Sequence, residues 1–147
     1  MSPAELLRIA LLAQSIVASP AINPIPRWAC FIGNMPESLP GQPINDAVAI
    51  YDSGGHGYNR AMDATQFIHP KFQVKVRSAN YTDGYAKVGE IAYYLDRIIR
   101  LDVNGDGTYI LDAVHRLPHM HIGFENSSKR HMWVLNGTVA LANSGRA

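Results

Sequence analysis

Cysteine is almost missing from this sequence. Cys30 is the single one in 147 residues, which excludes an internal disulfide and a cysteine-only metal site and gives no reason to expect an oxidising compartment. Charge is scarce as well. Lys, Arg, Asp and Glu make up 17% of the chain, below the ~25% usual for soluble domains. With 13 basic against 12 acidic side chains the net charge is +1, which sets aside a polyanion-coating protein or an acidic disordered tail. No stretch approaches the ~20 apolar residues of a membrane span, so no membrane partner is expected. What is present is a 47% hydrophobic composition, enough for a sizeable core in one compact domain covering residues 1–147. The low share of charge fits a surface partly covered by partners.

The run Leu6-Leu7-Arg8-Ile9-Ala10-Leu11-Leu12, followed by Ala18-Ser19-Pro20-Ala21, has the outline of a signal peptide. Ser2-Pro3-Ala4-Glu5 points the other way. The Ser2 hydroxyl can cap a first-turn amide, Glu5 can reach back to the Ser2 amide, and Pro3 suits the first helical position. Glu5 also sits where a signal peptide wants positive charge. The expectation is a retained helix over residues 3–18, ended by Ser19-Pro20, in a soluble chain of intracellular origin.

Trp28-Ala29-Cys30-Phe31-Ile32 has the aromatic and β-branched content of a strand. Pro36, Pro40, Gly41 and Pro43 then speak against regular structure over 34–46. Residues 47–51 are apolar on both faces, which predicts a strand buried inside a sheet. Asp52-Ser53-Gly54-Gly55-His56-Gly57 opens a connection over 53–69, beyond the length at which loops are usually functional or disordered. From Lys71 the pattern alternates, with Phe72, Val74 and Val76 on a buried face and Lys71, Gln73, Lys75 and Arg77 on a solvated or docked one.

A second helix begins near 80–83 with Val88, Ile91, Leu95 and Ile98 as its apolar stripe, and Asp96 and Arg100 are spaced to pair four residues apart. Strands over 108–117 and 130–141 close the chain. The first places Tyr109, Leu111, Ala113, His115 and Leu117 on one face, and the second His131, Trp133, Leu135, Val139 and Leu141. The order αβββαββ predicts an α+β fold: a mixed, mainly antiparallel sheet of about five strands with two helices packed on one face.

Two fragments carry metal chemistry. Asp102-Val103-Asn104-Gly105-Asp106-Gly107 matches the opening of a calcium loop, but the twelfth position is Ala113, and a polar helix-to-strand turn explains the same letters. His119-Met120-His121 with Glu125 has a spacing that can present three ligands to one ion. No second histidine motif fits in the 22 residues after Glu125. A small metal-binding enzyme using His115, His119, His121 and Glu125 is therefore the alternative reading.

Phosphate-loop, nucleophile-elbow and His-Glu-x-x-His motifs are absent. No catalytic residue, metal or cofactor is expected. Ser53 beside Asp52 reads as a turn, and Cys30 as a small buried hydrophobe. Arg8, Arg27, Arg60, Arg77, Lys75 and Arg100 are scattered, which speaks against sequence-specific nucleic-acid binding.

From Val48 onward four pieces follow one another in a recognisable order. They are Val48-Ala49-Ile50-Tyr51-Asp52-Ser53-Gly54-Gly55, then Pro70-Lys71-Phe72-Gln73-Val74-Lys75-Val76-Arg77, then the helix with Tyr85-Ala86-Lys87 and Ile91, then Ile122-Gly123-Phe124-Glu125 with Arg130, Trp133 and Asn136. Together they resemble the tail-terminator or tail-completion proteins of long-tailed bacteriophages, a family often labelled minor capsid protein. Glu125 stands where that family more often has Asp, and the histidines at 115–121 are not a family feature.

The resemblance implies a non-catalytic structural virion protein. It would form a homo-oligomeric ring of six copies that caps the tail tube, ends tail polymerisation and joins the tail to the head connector. Its partners would be itself, the tail tube protein and the head-tail connector protein. It would be found at the head-tail junction of the virion, and in the host cytoplasm during assembly. Ser53, Gly54, Gly55, His56, Arg60, Gln73, Lys75, Arg77 and Arg130 are the candidate subunit or tube contacts.

Overall fold

Ser2 starts the first helix as its sequence predicts. In the computed structural model its hydroxyl accepts from the Glu5 amide at 3.2 Å while the Glu5 carboxylate accepts from the Ser2 amide at 3.3 Å, with Pro3 at the first turn of α1 (Pro3–Ala13). The described residues are 2–143 apart from 23, 37, 40–41, 61–65, 106, 108 and 128, and the side chains at 38–39, 42, 54–60, 66–69 and 142–143 also lie outside the description. The helix is one turn and a half shorter than the expected 3–18. Ile16 and Val17 are buried as their spacing requires, but Ala18 is taken up by β1 (Ala29–Ile32): the Ala18 amide donates to the Trp28 carbonyl and the Cys30 amide to the Ala18 carbonyl. Strand-like pairing wins over helix continuation there.

Among the described residues seven strands make one mixed sheet. Besides β1 they are β4 (Ala47–Arg60), β5 (Gln66–Ser78), β6 (Ile99–Asp102), β7 (Ile110–Arg116), β8 (Met120–Glu125) and β9 (Arg130–Asn143). The order is β1-β4-β5-β9-β7-β6, with β8 also paired to β9. Only β1 and β4 run parallel; the other pairs are antiparallel. Long β9 pairs with β5 along one side, and its other side is shared, 137–142 by β7 and 130–134 by β8. The α+β class, the mainly antiparallel sheet and the two helices match expectation, whereas the count of five strands falls short because β6 and β8 are short edge pieces.

Two loop expectations are corrected. Most of the expected connection over 53–69 is strand: 53–60 and 66–69 stay extended on β4 and β5, with Gly55 opposite Pro70, His56 opposite His69 and Arg60 opposite Gln66, while 61–65 lie outside the described residues. The ladder slips between Asp52 and Gly55 and again between His56 and Asn59, so the glycines sit at bulges, where a strand tolerates them. The proline-rich stretch carries a two-residue pairing of β2 (Ser38–Leu39) with β3 (Gln42–Pro43). A bulge between Leu111 and Ala113 also breaks the expected face of β7, leaving Leu111 and Val114 buried and His115 exposed.

Both helices pack on one face. Leu6, Leu7 and Leu11 of α1 and Val88, Ile91 and Leu95 of α2 (Tyr81–Leu95) join Val48, Ile50, Phe72, Val74, Val76, Trp133 and Leu135 in one core. Asn80 caps α2 by accepting from the Asp83 amide at 3.1 Å. The expected Asp96–Arg100 pair does not form, because the chain leaves the helix at Asp96. Asp96 instead receives both arms of Arg116 at 2.8 and 2.9 Å, and Arg100 faces Asp112 at 3.5 Å.

Gly137 lies where the sheet is tightest. An added Cβ would stand 2.7 Å from the His115 carbonyl oxygen and 2.6 Å from the Phe72 ring. Gly137→Ala is therefore expected to lower stability by about 1–3 kcal/mol through overpacking, read as a lower urea midpoint. An unchanged midpoint would show that the backbone yields.

Candidate functional site

The far face of the sheet, opposite the helices, holds the alternating polar residues of β5. Gln73 donates to the Asn136 side chain at 3.0 Å, and the Lys75 ammonium sits 5.0 Å from the centre of the Tyr51 ring. Beyond them a groove of about 460 Å³ is lined by Ser53, Lys71, His115, Arg116, Asn136 and Thr138, among others. Ser53, Gln73 and Lys75 thus share one surface. Gly54, Gly55, His56 and Arg60 fall on the β4 arm of the hairpin, where side chains lie outside the described residues.

Arg77 is not on that surface. Its alternation with Gln73 and Lys75 is right, but Met35, Pro36 and Ile44 lie against it at this end of the sheet, and it is only 5% exposed. Its guanidinium donates to the carbonyls of Met35 at 3.3 Å, Pro36 at 2.5 Å and Ile44 at 2.6 Å. Met35 and Ile44 make a small second core there with Ala47 and Ala49. Arg130 is also buried, at 8%, and donates to the Asn45 side chain at 3.2 Å. Both arginines thus tie the segment around Met35, Ile44 and Asn45 to the sheet.

The histidines are split. His115 is paired with Thr138 on the far face, whereas His121 is paired with Trp133, whose ring belongs to the helix-side core. Glu125 ends β8, where it accepts from the Ser127 hydroxyl at 2.9 Å. The structure thus separates His115 and Glu125 from His119 and His121, and among the described residues no three His, Cys, Asp or Glu side chains converge to hold an ion. His121 instead meets His131, which sequence spacing did not suggest, with Nε2 and Nδ1 3.1 Å apart. Tyr81 packs on both of these rings and Phe124 on that of His131, while Tyr85 packs on His119 and Trp133. At the calcium-like segment, both Asp102 carboxylate oxygens accept backbone amides, from Gly105 at 3.0 Å and Gly107 at 2.8 Å, which is the turn reading of those letters.

Cys30 lies in the core at 0% exposure. Burial pushes its thiol up from 9.0 to about 12, against a small lowering by Arg8. Because the folded value lies above the unfolded one, the buried neutral thiol contributes stability below pH 9, and that contribution is lost as pH rises toward 12. The native protein is expected to resist a thiol reagent at pH 8 and to react once unfolded. Fast labelling of the native state would contradict this burial.

A mixed sheet with both helices on one side, a polar far face and an aromatic edge define a small α+β structural subunit. Over residues 10–141 the chain matches the family model described as bacteriophage tail terminator protein, and it belongs to that family. It is accordingly a structural component of a phage tail, a part of the virion that interacts with other tail and head components. A search of curated proteins found no match. Among the described residues no helix is long and apolar enough to cross a membrane.

Proposed function

We propose that the protein caps the finished tail tube as a ring of six copies, ends tail polymerisation and presents the surface that joins the tail to the head connector. The family match over residues 10–141 carries this reading. Residues 1–147 act as one domain, without a catalytic step, assembled in the host cytoplasm and retained at the head-tail junction. Ser53, Gln73 and Lys75 on the far face, with Gly54, Gly55, His56 and Arg60 on the hairpin arm, form the contacts to tube or neighbour. Arg77 and Arg130 hold that face in place. A half-buried polar sheet surface suits such a contact, since protein interfaces combine a packed centre with satisfied polar groups.

The reading is tested by adding the purified protein to its own phage's tail tube subunits during polymerisation. Tube growth is expected to stop at substoichiometric amounts, with the protein at tube ends. Growth that continues unchanged, or protein bound all along the tube, overturns the capping reading.

A further inference from the structure

We propose that the outer edge of β8 is a self-association surface, along which a second copy of the chain lays an extended segment so that the sheet continues from one subunit into the next. The inference rests on the ring reading above and assigns one of its contacts.

β8 has the composition of an interior strand at the edge of a sheet. Met120 stands opposite Val134 on the far face, while His121 stands opposite Trp133 on the helix side, with the Phe124 ring 4.6 Å from that of His131. Both faces are thus apolar or aromatic, as in β4, where Ala47, Val48, Ala49 and Ile50 are all fully buried between β1 and β5. Among the described residues β8 pairs only with β9, so its outer amides and carbonyls have no strand beside them.

The other two edges differ. Ala18 bridges β1 at Ala29, and β6, although Ile99 is 79% exposed, also exposes Arg100 and Asp102, the charged residues that discourage strand addition. In β8 the charge stands at the end, at exposed Glu125, and Met120 to Phe124 carry none.

Exposed apolar side chains flank this edge on both faces: Tyr81 and Phe124, 49% and 42% exposed, on the helix side, and Met120 and Ile122, 53% and 51% exposed, beside Val134 and Met132. At roughly 100 Å² each they present on the order of 400 Å², within the range of a monomer's largest apolar patch and about half of the ~800 Å² that each partner buries in a stable interface. Such an uncharged surface selects an uncharged, strand-forming partner and not a nucleic acid. In the sheet order β8 also lies on the opposite side from β1. A contact there joins unlike surfaces of neighbouring copies, the head-to-tail arrangement that closes a ring.

Sedimentation velocity from micromolar to millimolar protein tests the proposal on the wild type, on Met120→Lys/Ile122→Lys and on Tyr93→Lys. Tyr93 is 65% exposed on α2 and outside the patch. Thermal melts establish that all three are folded. The wild type and Tyr93→Lys are expected to self-associate alike, and the double variant at least tenfold more weakly. Equal association by the double variant overturns the assignment of this edge while leaving a ring intact. A wild type that stays monomeric throughout also overturns it, and the tube-growth experiment then decides separately whether capping stands.

Discussion

Arg77→Leu is expected to lower stability by about 3–5 kcal/mol, the range for removing one side of a buried, charged hydrogen-bond system. The guanidinium reaches three carbonyls, those of Met35, Pro36 and Ile44, which flank a proline-rich segment whose own ladder is only the two-residue β2–β3 pairing. Without it these acceptors lose their donor, and the small core of Met35, Ile44, Ala47 and Ala49 loses its cover. Lysine should recover little, since a single ammonium lacks the planar fork that serves several acceptors at once. Urea unfolding reads the loss, and amide exchange over 33–46 locates it. A change below about 1 kcal/mol would contradict this role. Arg77→Glu should reduce phage assembly as well, but through loss of the folded subunit more than through a docking charge.

A phage lacking this protein is expected to make full heads and to polymerise tail protein, yet to yield almost no joined particles. Neither head assembly nor tube polymerisation is assigned to this chain, whereas the tube end without a cap keeps unpaired subunit surfaces. Electron microscopy of lysates should show overlong or unattached tails beside filled heads. Supplying the wild-type chain should restore joining, and Tyr93→Lys should restore it equally. Abundant joined particles with tails of normal length would remove the capping role.

Local chemistry was legible in the sequence. The Ser2-Pro3-Ala4-Glu5 cap, the start of α2 near 80–83, the buried strand at 47–51 and the alternation of β5 all follow from side chains within a few residues of one another, and each is found. Errors arise where a distant segment decides. Alternation places Arg77 beside Gln73 and Lys75, but only the fold brings Met35, Pro36 and Ile44 over it. Helical spacing continues through Val17, yet β1 recruits Ala18. The glycines after Asp52 read as a loop because strand pairing with residues 66–70 is invisible locally. β8 escaped notice for a different reason: a register slip between His121 and Gly123 breaks the period-two pattern, and its histidines suggested ligands. Of the candidate contacts, only the shared face of Gln73 and Lys75 was readable, from the alternation along β5. The aromatic edge was not, because Tyr81, Tyr85 and Phe124 come together only when α2 packs across β9.

The central claim is that this tail protein sits at one end of the tube and closes it. Gold labelling of an epitope-tagged chain on intact virions tests it most directly. Label is expected at the head-tail junction of every joined particle, and not on the tube shaft or the distal tip. Label spread along the shaft, or found only at the distal tip, would contradict it.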